Sequence, residues 1–311
     1  MKKIATRDAY GEALKELGAV NNDVVVLDAD LSKSTKTSVF AKAFPERHLN
    51  MGIAEQNMIG TAAGLAAAGK IPFASTFAIF ATGRAYEQIR NSIAYPKLNV
   101  KIAASHAGLT VGEDGASHQM LEDLALMRAL PNMTVIVPVD AEETRQAVKT
   151  AAAMKGPVYI RLGRSGVPVL FDEQYKFVIG KAVQLADGND AAIIATGIMV
   201  GIALEAAQIL QVEGIKARVI NMATIKPIDR EAIILAAKET GAIVTAEEHN
   251  VIGGLGSAVA EVLVETVPVP MQRVGVQDTF GESGVPDALL EKYGLTAENI
   301  AAAVRAVISR K

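Results

Sequence analysis

Two histidines, His106 and His118, stand twelve residues apart and bracket the turn Gly112-Glu113-Asp114-Gly115. Imidazoles and carboxylates held on glycine-rich turns are the usual material for proton transfer and hydroxyl recognition near neutral pH. The run Asn99-Val100-Lys101-Ile102-Ala103-Ala104 precedes them and reads as a strand. That order sets the cluster at the carboxyl end of a sheet strand, where open α/β folds bind their ligands.

Further candidates lie elsewhere. Glu55 opens an Ala/Gly-rich apolar stretch that reads as a helix. The helix dipole favours its ionised form and burial would oppose it. It is either a capping carboxylate or a buried proton-sharing acid. Phe77 and Phe80 are three apart and can share a face. They are either core or an aromatic wall for a flat ring. Arg7 and Arg164 sit in separate loops, and with Ser34 they form either ordinary surface polarity or an anion clamp. No Gly-x-Ser-x-Gly elbow is present, and the two histidines have no recognised metal-ligand spacing. Gly253-Gly254-Leu255-Gly256-Ser257 lacks the spacing of a dinucleotide fingerprint and reads as a close-packed turn into a helix.

Positioning these residues requires sheets. Short β-branched runs at 24–27, 71–75, 100–104, 134–137 and 158–161 alternate with Ala-rich helical stretches at 7–17, 54–68, 83–94 and 141–153. A second series has strands at 191–195, 217–221, 243–246 and 271–276, with helices at 200–212, 230–239, 256–266 and 296–309. Such alternation implies an α/β chain of two doubly wound domains with mostly parallel sheets. The Gly-, Pro- and charge-rich segment 166–188 reads as a linker between a domain at 1–165 and one at 189–311.

The 311 residues are half hydrophobic and 21% charged, which is globular. A net charge of −3 without a basic tract speaks against nucleic acid or an anionic membrane surface as partner. Cysteine is absent, which removes disulfides, thiolate metal sites and cysteine nucleophiles, and fits a reducing, cytoplasmic setting. The first residues have no apolar core after their charges, so no signal peptide is expected. The apolar stretch 58–80 is interrupted by Lys70, Pro72 and glycines and is not expected to span a membrane.

In order and spacing these pieces resemble the second half of transketolase, its pyrimidine-binding domain plus its C-terminal domain. The resemblance covers nearly the whole chain, from Ala5-Thr6-Arg7 through Asp28–Ser34, Gly52–Gln56, Thr76–Phe80 and Ser105–Gln119 to Gly163-Arg164. It continues into Glu247-Glu248-His249, Gly253–Ser257 and Gly281-Glu282-Ser283-Gly284. Gly-Glu-Asp-Gly-Ala-Ser-His is its most specific part. The resemblance implies thiamine diphosphate as cofactor. It makes Glu55 the acid that bonds the aminopyrimidine ring, with Phe77 and Phe80 around that ring and Asp30 on the cofactor side. His106 and His118 become the contacts to the donor sugar's hydroxyls, and Asp114 the reader of the acceptor. Arg7, Arg164 and Ser34 become the sugar-phosphate clamp, with Arg161 a competitor for the role of Arg164.

One departure matters. In the family a Gly-Asp-Gly motif followed by Asn holds the diphosphate through a divalent cation, Mg2+ or Ca2+, and Gly-Asp-Gly occurs nowhere here. The chain therefore resembles half an enzyme. The expectation is an N-terminal transketolase subunit as partner, in a two-plus-two heterotetramer. The activity implied is transfer of a two-carbon ketol unit from a ketose phosphate such as xylulose 5-phosphate to an aldose phosphate such as ribose 5-phosphate. A beta subunit of a 2-oxoacid dehydrogenase, a deoxyxylulose-phosphate-synthase-like enzyme and a non-catalytic scaffold are the competing readings.

Overall fold

A computed structural model describes residues 2–311. The chain is mixed α/β with mostly parallel sheets. In the first half the strands are β1 (Lys3–Ala5), β2 (Val24–Asp28), β3 (His48–Asn50), β4 (Ile71–Ser75), β5 (Lys101–Ala104), β6 (Thr134–Ile136) and β7 (Val158–Arg161). Then come β8 (Gly166–Pro168), β9 (Val183–Ala186), β10 (Ala191–Ala195), β11 (Ala217–Asn221), β12 (Thr224–Lys226), β13 (Ile243–Asn250) and β14 (Met271–Val276).

One sheet has seven strands in the order β12-β6-β7-β5-β4-β2-β3, parallel except for β12. A second has five, β14-β13-β10-β11-β9, parallel except for β9, and β1 and β8 form a third of two strands. The inner strands β2, β5, β7, β10 and β11 are buried along their whole length. Helices cover both faces of a parallel sheet, which is why these strands read as continuous apolar runs and not as alternating ones.

Three features lay outside the sequence pattern. The segment 166–188 carries two strands: β8 pairs antiparallel with β1, and β9 edges the five-stranded sheet. The expected helix over 83–94 is a run of π-helical turns, Phe80–Arg84 and Ile89–Ala94, around a short α-helical turn at Tyr86–Gln88. Widened turns of this kind cluster at functional sites. Finally, β12 comes from the second half of the chain but completes the sheet of the first, pairing with β6. Among the described residues no helix is long and apolar enough to cross a membrane.

Candidate active site

Four neighbouring strands deliver the candidate residues from their carboxyl ends. After β2 comes the turn with Asp30 and Ser34, after β4 Phe77 and Phe80, after β5 His106, and after β7 Arg164. Arg7 joins them because β1 pairs with β8, and Gly163 N–H donates to the Thr6 hydroxyl at 2.8 Å.

The centre is a stack of rings. His106 lies on Phe77 with centroids 3.8 Å apart and planes at 22°, and Phe77 lies parallel to Phe80 at 5.8 Å. His118 closes the wall edge-on, 5.4 Å from Phe80. Aromatic groups in these geometries hold one another about 0.5–1.5 kcal/mol beyond simple burial. His106 adopts φ +56°, a conformation uncommon outside glycine. Such local strain persists where surrounding structure over-determines it. The residue is 3% exposed. Burial, reinforced by the charges of Arg7 and Arg164 and by His118, pushes its pKa down to about 3.

Glu55 begins the helix Glu55–Ala67 and is 2% exposed. Its carboxylate accepts from Arg84 Nη1 at 2.8 Å, and the same guanidinium lies over Phe80, 4.4 Å from its centroid. Arg84 is a site residue that the sequence reading did not single out. The available signal was its position four after Phe80, one helical turn on.

Arg7 Nη1 donates to the Ser34 main-chain oxygen at 3.1 Å and lies 3.0 Å from His106 Nε2. Arg164 Nη1 lies 3.6 Å from both Glu113 and Asp114. Arg161 is buried elsewhere. Its Nε donates to Asp123 at 2.8 Å and its Nη2 to the Glu248 carbonyl at 2.9 Å. Asp30, exposed and at φ +61°, trades hydrogen bonds with the Asn50 side chain. The structure thus brings Glu55, Phe77, Phe80, His106, His118 and Arg7 together, with Arg164 and Asp114 at the rim. Arg161 is engaged beneath, and Asp30 lies on the Asn50 turn.

Behind Ser34 lies a cluster the sequence did not reveal. Asp28 Oδ2 accepts from Ser32 (2.7 Å), Thr37 (2.8 Å) and His48 Nε2 (2.7 Å), which fixes the turn that carries Ser34. Burial pushes the Asp28 carboxyl up, but these hydrogen bonds outweigh it and hold its pKa below the ordinary value.

The residues present fit the pyrimidine side of a thiamine cofactor: a buried carboxylate beside two parallel phenyl rings. Among the described residues no group of three or more His, Cys, Asp or Glu side chains is placed to hold a metal. The run at Gly253–Ser257 is a packing turn. The Leu255 and Gly256 amides donate to the buried Glu247 carboxylate at 2.7 and 2.8 Å.

Residues 2–169 match the transketolase pyrimidine-binding domain, and residues 180–300 match the transketolase C-terminal domain. A putative transketolase C-terminal section from Methanocaldococcus jannaschii is 56% identical over 95% of this chain and 93% of its own length. A 6-deoxy-6-sulfo-D-fructose transketolase subunit from Clostridium sp. (strain MSTE9) is 48% identical, over 98% and 95%. A solved structure described as a split gene transketolase, inactive beta4 tetramer, superposes with TM-score 0.93 at 66% identity, covering 98% of this chain and 99% of that one. The chain belongs to the transketolase family and is similar along its whole length to the C-terminal subunit of split transketolases.

Proposed function

We propose that this chain is the pyrimidine-binding half of a cytoplasmic two-polypeptide transketolase that moves a two-carbon ketol unit between sugar phosphates. The carrying observation is the wall Phe80–Phe77–His106, with buried Glu55 beside it and Arg7 against the imidazole. When bound, thiamine diphosphate supplies the carbon nucleophile and the electron sink.

The chain's own residues do the rest. Glu55 shares a proton with the pyrimidine ring, exchanging Arg84 for that ring. Phe77 and Phe80 exclude water from it, and Asp30 lines the cofactor side. His106 is neutral and meets the donor's hydroxyls without carrying charge once Arg7 turns from its Nε2 to the phosphate, and His118 meets them from the facing edge. Positioned proton transfer of this kind contributes roughly 10²–10⁴-fold. Arg7 and Arg164, with Ser34, bind the phosphate. Asp114 at the rim reads the acceptor hydroxyl. Arg164 is preferred over Arg161 for the clamp, since Arg161 Nε and Nη2 already donate to Asp123 and the Glu248 carbonyl.

The lack of a Gly-Asp-Gly motif in the sequence supports an N-terminal partner that brings Mg2+ or Ca2+ and the diphosphate contacts, in a two-plus-two assembly. So does the description of the 66%-identical beta4 tetramer as inactive. Xylulose 5-phosphate and, after the Clostridium relative, 6-deoxy-6-sulfofructose both belong in the assay as donors. The test is to mix the chain with a similar-sized polypeptide carrying Gly-Asp-Gly and the downstream Asn, plus thiamine diphosphate, Mg2+, donor and ribose 5-phosphate. Transfer is expected only in the mixture and is lost in Glu55→Ala with folding intact. Normal transfer by the chain alone, or by the Glu55→Ala complex, overturns the proposal.

A further inference from the structure

The loop from Gly108 to Gln119 carries Asp114 and His118, and these two side chains do little to hold it in place. Asp114 is exposed with one cation 3.6 Å away, and the one side-chain hydrogen bond of His118 is to its neighbour Ser117. The loop is held from both sides: Arg164 Nη1 and Ser165 Oγ of the first half donate to the Val111 and Thr110 carbonyls, and further ties come from the second half of the chain.

At its start, the Thr110 amide donates to Glu248 Oε1 at 2.6 Å. Glu248 lies on β13 and is 5% exposed. Gly108, at φ +84°, passes so close that a Cβ there would sit 2.3 Å from the Glu248 carboxyl carbon. Leu109, fully buried, packs into the core of the five-stranded sheet with Leu289 and Leu290.

At its end, the Gln119 amide nitrogen donates to three carbonyls: Leu109 at 3.2 Å and Gly112 at 3.2 Å within the loop, and Glu282 at 2.9 Å in the loop after β14. Gln119 is 4% exposed and its Oε1 is buried without a partner. A side chain kept only for packing would be apolar, since an unpaired buried amide oxygen carries a desolvation penalty. Here the penalty accompanies three carbonyls gathered on one nitrogen, two from the loop and one from the other half of the molecule. Opposite, Gly281 approaches so closely that a Cβ would fall 2.0 Å from Gln119 Oε1.

We propose that Gln119, with Glu248, is a positioning residue: it clasps both ends of the sugar-facing loop to the second half of the chain and so sets where Asp114 and His118 stand. This inference rests on the sugar-facing reading given above. It assigns the C-terminal half a part in substrate selection through the loop, while the ring stack itself is built from the first half.

The experiment uses two variants that act from opposite sides of the clasp. Gln119→Leu removes the donor at similar volume, and Gly281→Ala displaces the amide from the C-terminal half. Amide hydrogen exchange in the chain alone is expected to speed up across residues 109–118 and to stay unchanged across the helix Glu55–Ala67. In the reconstituted complex, KM for ribose 5-phosphate is expected to rise by about 10-fold, inside the ~10²-fold that a 1 Å misplacement costs. Exchange of the reactive carbon proton of bound thiamine diphosphate, which reads the Glu55 side, should keep its wild-type rate. Unchanged loop exchange in both variants, or faster loop exchange with an unchanged acceptor KM, overturns the clasp. So does an equal loss in cofactor exchange and acceptor use. A wild-type complex that transfers no ketol unit would sink the functional reading, while the exchange measurement still decides whether the clasp exists.

Discussion

Arg7 Nη1 sits 3.0 Å from His106 Nε2 and, as an obligate donor, fixes that nitrogen as the acceptor. The proton of the neutral ring is then on Nδ1, 2.9 Å from the Ser105 hydroxyl. Burial first, then Arg7, Arg164 and His118, hold the pKa near 3. Nitrogen-detected NMR of the chain should therefore find His106 untitrated from pH 5 to 8. The unfolded chain protonates this ring near 6.5 and the folded one near 3. Between those values the unfolded state holds the extra proton, so stability falls as pH falls. His106→Gln should flatten that part of the acid limb in urea titrations; an unchanged limb would contradict the assignment.

Arg84 has the reciprocal role at Glu55. Arg84→Met leaves a 2% exposed carboxylate without its 2.8 Å donor. The free chain should lose about 1–3 kcal/mol in urea unfolding. If the pyrimidine ring takes over that carboxylate, thiamine diphosphate should restore most of the deficit in the two-chain complex. A deficit equally large with cofactor bound would argue against the exchange.

Beneath the loop, Asp123 Oδ2 accepts from both Tyr159 (2.6 Å) and Arg161 (2.8 Å), all buried where the two halves meet. Arg161→Met strands that carboxylate and should cost about 3–5 kcal/mol. Asp123→Leu combined with Arg161→Met removes both charges and should be less destabilised than the Arg161 variant alone. Urea midpoints of the three proteins give the comparison.

Asp28 gives a pH signature of opposite origin to that of His106. Its carboxyl is held below the ordinary 3.8, so it stabilises the fold above that value and the benefit fades as pH falls through the folded pKa. Asp28→Asn should be less stable than wild type at pH 7, with the difference shrinking below pH 3.8. A pH-independent difference would assign the loss to shape and not to charge.

Much of the molecule was legible because parallel strands buried on both faces leave uninterrupted β-branched runs. Ile71–Ser75, Val158–Arg161, Ala191–Ala195, Ala217–Asn221 and Met271–Val276 carry the boundaries read from the sequence. Glu55 at the start of its helix and the Phe77–Phe80 pair on one face follow from local spacing. The strands β8, β9 and β12 were not legible because short edge strands bury little and take their identity from distant partners. Arg84 was within reach of the sequence, four residues after Phe80, but its hydrogen bond to Glu55, 29 residues away, left no local trace. Gln119 stood directly after the most specific motif, but its acceptors include Glu282, 163 residues away. No local pattern encodes that contact.

The strand β12 has one last consequence. It lends an edge from the second half to the sheet of the first, and the apolar cluster running through Met58, Ile59 and Ile102 continues without a break into Ile194, Ile220 and Val259. Two family domains joined in this way share one melting event. Calorimetry should show a single endotherm whose calorimetric and van't Hoff enthalpies agree. A nick in 166–188 should leave two fragments that elute together.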